Sequence, residues 1–157
     1  MKKVKGFTII ELIVVIAIIA VLAAVIVPSL INYTNQARMT AIQANARNVY
    51  NASKIAITSS YEKLNINGGE IYKGENRGTA VASGGSDNLS IANFMGEDFK
   101  GYYAFKVSAD GRDIEFAVWC NNSAIDDSEV KMYTADEMER TAISRGIGSY
   151  PMSYPVS

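Results

Sequence analysis

The chain opens with a long apolar segment. Three lysines precede Gly6, and every residue from Phe7 to Val27 is then apolar except Thr8 and one carboxylate, Glu11. A helix of these 21 residues rises by about 1.5 Å per residue and spans roughly 31 Å, the thickness of a bilayer core. A secretory signal peptide has a shorter apolar core, which a small-residue cleavage site follows. A plain membrane anchor needs no carboxylate, and a charge within a membrane segment is costly, so Glu11 indicates a function beyond anchoring.

The helical pattern continues beyond the apolar segment. No glycine occurs from Phe7 to Asn67, and residues 29–60 repeat apolar or small side chains at intervals of three and four. The positions that share this helical face are Ile42, Ala46, Val49, Tyr50, Ser53, Ala56 and Ile57. The sequence predicts one helix from about Phe7 to about Ser60 with an amphipathic second half. Pro28 lies between the halves and predicts a kink, because it lacks an N–H donor and its ring clashes with the preceding turn.

The composition changes after the helix, and residues 61–157 predict a globular, β-rich head. Residues 65–85 are rich in glycine and predict a loop with one short strand near residues 70–73. Residues 90–94 predict a short helical turn. The sequence therefore divides into a leader, a membrane helix, an amphipathic helix and this head, with the bounds 1–6, 7–28, 29–60 and 61–157.

Aromatic and β-branched residues predict strands at Tyr102–Val107 and Asp113–Cys120, and Asp110-Gly111 between them is a hairpin turn signal. A third strand is predicted at Glu129–Tyr133. Thr134 to Glu137 has the pattern of a capping box, which predicts a short helix that Gly146 ends, followed by an extended tail over residues 150–155.

These elements predict an α+β fold, in which the long N-terminal helix packs on a small antiparallel sheet. A helix that covers one face of a sheet must bury its own apolar face there. We expect three helix residues to lie beneath three aromatic residues of the strands: Ile42, Val49 and Ile57 beneath Phe105, Phe116 and Trp119.

The composition argues against several classes of function. The chain has 15 Lys and Arg against 16 Asp and Glu, so it lacks the excess of positive charge that a nucleic-acid backbone requires. It has no histidine, the commonest general base and metal ligand, and no acid–base constellation stands out, so we expect no enzyme and no cofactor. Cys120 is the only cysteine and lies in an apolar run, which predicts a small buried side chain rather than a disulfide.

One acidic run is a weak candidate for a metal site. Asp126, Asp127 and Glu129 cluster in a predicted loop, and carboxylate oxygens are the ligands that Ca²⁺ prefers. The run lacks the regular ligand spacing of a defined calcium loop, so a solvated acidic turn is the simpler interpretation.

The N-terminal sequence GFTIIELIVVIAIIAVLAAVIVP, residues 6–28, resembles the start of a type IV prepilin or a pseudopilin. The resemblance implies that a prepilin peptidase cleaves after Gly6, that the new N-terminal residue Phe7 is N-methylated, and that Glu11 acts in assembly. It also implies that Pro28 is the helix proline of that family. The single cysteine departs from the many pilins of Gram-negative bacteria that have a C-terminal disulfide, and favours a Gram-positive relative.

The resemblance implies a structural subunit of a type IV pilus, a filament associated with cell adhesion and twitching motility. Its partners would be sister pilins, a prepilin peptidase, a membrane platform protein and an assembly ATPase. Before assembly the chain would cross the cytoplasmic membrane once with its N-terminus inside, and afterwards it would be part of an extracellular pilus. The alternatives are a pseudopilin of a type II secretion or DNA-uptake system, and a membrane-tethered binding domain that does not polymerise.

Overall fold

The computed structural model describes residues 6–60, 68–82 and 88–152. The chain divides into two units, one that ends at Asn35 and one that begins at Gln36. Helix α1 spans Ile9–Ser60, so the predicted long helix is confirmed, with its start two residues later than expected. Helix is recorded on both sides of Pro28, and the predicted kink stays a prediction.

The apolar side chains of the first unit are exposed. Within the described part of the chain, α1 is the one helix whose length and composition suit a membrane crossing, and none of its most apolar stretch is buried inside the protein. Among the described residues, the side chains of this stretch are therefore left uncovered.

The second unit contains one antiparallel sheet and a short helix. Its strands are β1 Ile71–Glu75, β2 Ala80–Ala82, β3 Asn88–Leu89, β4 Tyr102–Val107, β5 Ile114–Cys120 and β6 Ile147–Tyr150. The described strands have the order β3-β2-β1-β4-β5-β6, and each pairs antiparallel with its neighbours. Two 3₁₀ turns, Ala92–Phe94 and Asp127–Glu129, and helix α2, Ala135–Ser144, complete the unit. The α+β class is confirmed.

The second half of α1 packs on one face of the sheet. Ile42, Val49 and Ile57 are buried in a cluster that also contains Phe105 and Trp119, as predicted. The rings of Tyr72 on β1 and Phe105 on β4 stack within this cluster, with centroids 5.3 Å apart. All seven helix positions with the predicted apolar spacing are buried or half-buried, and Ala52 joins them.

The predicted position of Phe116 is wrong. Lys106 pairs with Phe116 but Val107 pairs with Ile114, so Glu115 is an extra residue in β5. Such a β-bulge reverses the alternation of side chains between the two faces of a strand. Here the bulge keeps Ile114 on the face that carries Trp119. Phe116 is three residues from Trp119, so the alternation along the strand places it on the other face, in a second cluster that includes Met138 of α2.

The predicted strand at Glu129–Tyr133 is also wrong. The 3₁₀ turn Asp127–Glu129 ends at the first residue of this segment. The backbone N–H of Tyr133 donates to the side chain of Ser149 in β6, at 2.7 Å from its Oγ, and not to a backbone carbonyl as in a sheet. The position beside β5 is occupied by β6, which was predicted neither as a strand nor as part of the sheet.

Other local predictions are confirmed. Thr134 and Glu137 form the capping box of α2, and Gly146 follows this helix with a φ of 69°. Gly111 lies in the turn between β4 and β5 with a φ of 72°. The segment 65–85 differs from a single loop because β1 and β2 both lie within it, and its residues 65–67 and 83–85 lie outside the described residues.

Candidate processing and assembly site

The backbone around the predicted cleavage point is exposed and is not helical. Gly6, Phe7 and Thr8 precede the first turn of α1, and the Phe7 side chain is 89 % exposed. A Cβ atom added at Gly6 would have no neighbour within 4 Å. Exposed backbone outside helices and strands is where proteases cut most readily, so the Gly6–Phe7 bond is accessible to a peptidase.

Thr8 and Glu11 form a capping box at the start of α1. The backbone N–H and the hydroxyl of Thr8 donate to Glu11 Oε2 at 2.8 Å and 2.7 Å, and the N–H of Glu11 donates to Thr8 Oγ1 at 3.3 Å. Such a box satisfies N–H groups that have no partner within the helix, and it fixes where the helix begins. This box was not predicted, although its signal, Thr followed three residues later by Glu, is present at residues 8–11.

The capping box uses only one oxygen of the carboxylate. Both Thr8 hydrogen bonds end on Oε2 of Glu11, and within the described residues no donor contacts Oε1. A carboxylate oxygen at a helix N-terminus can therefore still accept a charge-assisted hydrogen bond from outside the chain. The predicted partner, the ammonium of a cleaved Phe7, exists only after processing, so this pairing stays a prediction.

The surroundings of Glu11 are apolar and exposed. Ile10 and Leu12 are adjacent to it, and both are more than half exposed. One turn further along α1, Val14, Ala17, Ile18, Val21 and Leu22 line a shallow apolar groove. The unit thus presents one carboxylate within a surface that only lipid or other apolar helices can cover.

Comparison with known proteins identifies this segment. Residues 1–27 match the family described as the prokaryotic N-terminal methylation motif. The chain carries a prepilin-type signature. No curated protein and no solved structure matches the chain. The signature supports a type IV pilin-like or pseudopilin-like precursor that a prepilin peptidase processes, and proteins of this type are structural subunits rather than enzymes.

Two carboxylates of the acidic run in the head pair with cations of the same chain. Asp127 pairs with Lys73 at 2.6 Å, and Glu129 pairs with Arg145, whose Nε and Nη2 donate to Oε1 and Oε2 at 2.6 Å and 2.8 Å. The Arg145 guanidinium holds the pKa of Glu129 below its ordinary value. Glu129 Oε2 also accepts from the N–H of Asp126 at 3.0 Å. Among the described residues, no three His, Cys, Asp or Glu side chains are grouped as a metal site would require.

Arg145 connects the end of α2 to the loop that follows β5. Besides Glu129, its guanidinium donates to Ser123 Oγ at 2.8 Å and to the Ala124 carbonyl at 3.3 Å. Its own carbonyl accepts from the thiol of Cys120 at 3.7 Å, and Cys120 is buried as predicted. This arginine therefore holds the loop after β5 against the end of α2, a role that was not predicted from the sequence because its contacts join distant residues.

Proposed function

We propose that this chain is a structural subunit of a type IV pilus. A prepilin peptidase removes residues 1–6 by cleavage after Gly6, Phe7 is N-methylated, and the chain polymerises through its N-terminal helix. The observation that carries the proposal is Glu11, a single carboxylate at the start of an exposed apolar helix segment within a prepilin-type signature. Residues 7–28 act as the assembly helix, residues 29–60 continue into the head, and residues 61–157 form the rest of the head.

The exposed apolar helix supports polymerisation on energetic grounds. When such a helix leaves the membrane and packs against copies of itself, it exchanges one apolar environment for another, so the hydrophobic term changes little. Apolar contact alone does not fix the axial position of one helix against the next. An ion pair between Glu11 Oε1 and the Phe7 ammonium of a neighbouring copy supplies that position, because either charge is costly to bury alone.

The location follows from the same segment. The lysines before Gly6 keep the leader on the cytoplasmic side, so the head lies outside the cytoplasmic membrane before assembly and in an extracellular pilus afterwards. The partners are sister pilins, the prepilin peptidase, a membrane platform protein and a cytoplasmic assembly ATPase. Pro28 introduces a kink that allows this part of α1 to adjust in the filament.

The test compares Glu11→Ala and Glu11→Gln with Thr8→Ala. In cells that assemble the filament, sheared pili and membrane-bound mature protein are quantified side by side. Both Glu11 variants should insert and be cleaved normally but lose most of their filaments, because each leaves the ammonium of the neighbour without its counter-ion. Thr8→Ala removes the two hydrogen bonds of the cap that use the Thr8 hydroxyl but keeps the carboxylate and the bond from the backbone N–H of residue 8, so it should retain filaments.

The outcomes separate the possible roles. Normal filament yield from Glu11→Ala would reduce the segment to a membrane anchor. An equal loss from Thr8→Ala would show that Glu11 acts through the helix cap and not through pairing. If the wild-type chain is processed but forms no surface filament, the pseudopilin alternative is favoured, and an unprocessed chain would favour the tethered binding domain.

A further inference from the structure

The charges of the head are separated between its helix and the rest. In residues 36–60, the part of α1 that belongs to the head, the charged residues are Arg38, Arg47 and Lys54, and none is acidic. Residues 61–157 contain 15 Asp and Glu against nine Lys and Arg. The helical part of the head is therefore basic and the rest is acidic, and some of these charges form no ion pair within the residues that the structure describes.

Arg47 is the unpaired cation on one flank of α1. Its guanidinium lies over the ring of Tyr150, with the Cζ atom 5.4 Å from the ring centroid, and no carboxylate among the described residues forms an ion pair with it. Lys54, two turns further along this flank, is already bound to Asp113 at 3.0 Å. A guanidinium that stacks on an aromatic face is held in one orientation, while its N–H groups remain available at its edge. We call Arg47 and Tyr150 the basic flank.

The other flank of α1 borders an acidic loop. Asn45 and Asn48 of the helix, together with Gly96, Glu97, Asp98 and Phe99, line a cleft of about 270 Å³. Glu97 and Asp98 are exposed, and neither forms an ion pair within the described residues. We call this cleft with its two carboxylates the acidic cleft.

The two surfaces lie on different flanks of the helix at a similar height. At about 100° per residue, Arg47 is about 160° around the axis from Asn45 and about 100° from Asn48, the two helix residues of the acidic cleft. Arg47 and Asn48 are adjacent in sequence, so the cation and the cleft differ in height by only about 1.5 Å along the axis. One copy of the head therefore presents a cation on one side and two carboxylates on the other.

We propose that the acidic cleft of one copy binds the basic flank of the next, with Arg47 donating to Glu97 and Asp98 across the contact. This inference rests on the proposed function, because it requires repeated copies of the chain. The two surfaces differ, so the contact is heterologous, and a heterologous contact that does not close into a ring continues as a filament. A twofold contact through either surface would place like charges together, which is unfavourable.

Charge reversal with compensation tests the contact. Arg47→Glu alone, and Glu97→Arg with Asp98→Arg, should each lower the yield of sheared filaments about tenfold or more, since like charges then meet at every repeat. The variant with all three changes should recover most of the wild-type yield. Arg140→Glu on exposed α2 changes the net charge by the same amount as Arg47→Glu and should leave filaments unchanged.

A cross-linking experiment tests the same contact without relying on assembly yield. Full-length chain with Arg47→Cys and Glu97→Cys is treated with a short bis-maleimide in filaments and in membranes, and it should give a ladder of multimers. Either single cysteine variant should give none, because the native Cys120 is buried.

The results distinguish failure of this inference from failure of the proposed function. Wild-type filaments, with no effect of either charge reversal and no ladder, would overturn the contact and leave the pilus intact. A similar loss from Arg140→Glu would also overturn it, because net charge would then explain the effect. A wild-type chain that forms no filament would contradict the pilus, and a ladder from the membranes alone would still support the contact.

Discussion

The packing face of α1 can be tested with two isoleucines that differ only in burial. Ile57 is 1 % exposed in the core beneath the sheet, and Ile55, two residues earlier on the same helix, is 50 % exposed. Replacing a buried isoleucine by alanine costs about 2–5 kcal/mol, because it removes transfer free energy and leaves a cavity. Ile55→Ala should change stability by only about 0.5 kcal/mol or less, because its side chain is already partly in water.

The unit that begins at Gln36 and contains both isoleucines has 122 residues. At about 2.1 cal/mol/K per residue, its unfolding entropy is roughly 0.26 kcal/mol/K, so a loss of about 3 kcal/mol lowers the melting temperature by roughly 12 °C. The assay is thermal unfolding of the full chain in detergent, followed by near-ultraviolet circular dichroism of the tyrosine and tryptophan residues. Ile55→Ala should melt within about 2 °C of the wild type. Equal shifts for the two variants would show that the helix does not pack through the face assigned to it.

Three further predictions follow from local geometry. Gly6→Ala should leave the fold unchanged, because a Cβ atom at this position meets nothing within 4 Å. It should nevertheless slow removal of the leader, which mass spectrometry of the mature N-terminus measures. Processing at the wild-type rate would contradict the predicted cleavage site. Gly74→Ala should lower the melting temperature, because its Cβ would overlap the Tyr103 ring, and an unchanged melting temperature would contradict that close approach. The pKa of Glu137 is lowered to about 2, first by the N–H of Thr134, so its stabilisation is complete above the ordinary value of 4.5 and is lost as the pH falls towards 2. Glu137→Gln should therefore reduce the loss of stability between pH 4.5 and pH 2 in acid titrations, and an unchanged acid profile would contradict this role.

The sequence determined the elements whose signals are local. The long helix follows from an unbroken absence of glycine and from apolar spacing, and its buried face was correct because 3.6 residues per turn fixes which side chains align. The hairpin at Asp110-Gly111 and the cap at Thr134 were correct for the same reason, since their hydrogen bonds join residues only a few positions apart. The prepilin-type signature is also a contiguous pattern, and it needed no fold to be recognised.

The tertiary structure decided what depends on distant partners. An extra residue in β5 keeps Ile114 on the same face of the sheet as Trp119, and its presence depends on how that strand pairs with β4. The strand that pairs with β5 at this edge of the sheet is β6, although the sequence of β6 contains Gly148 and gives only a weak strand signal. This glycine is required by packing, because a Cβ there would approach Ile42 and Met138 to 2.8 Å and 2.7 Å.

The roles of individual charges were decided in the same way. In the sequence, Asp127 and Glu129 belong to a weak candidate for a calcium site. In the folded chain, Asp127 pairs with Lys73, 54 residues away, and Glu129 pairs with Arg145, 16 residues away. Arg47 and the pair of carboxylates at residues 97–98 carry no signal in the sequence, and only the packing of α1 within the head places them on different flanks of one helix. Local periodicity specifies which residues form a helix or a strand, whereas the partner of each charge depends on contacts between segments that are far apart in the chain.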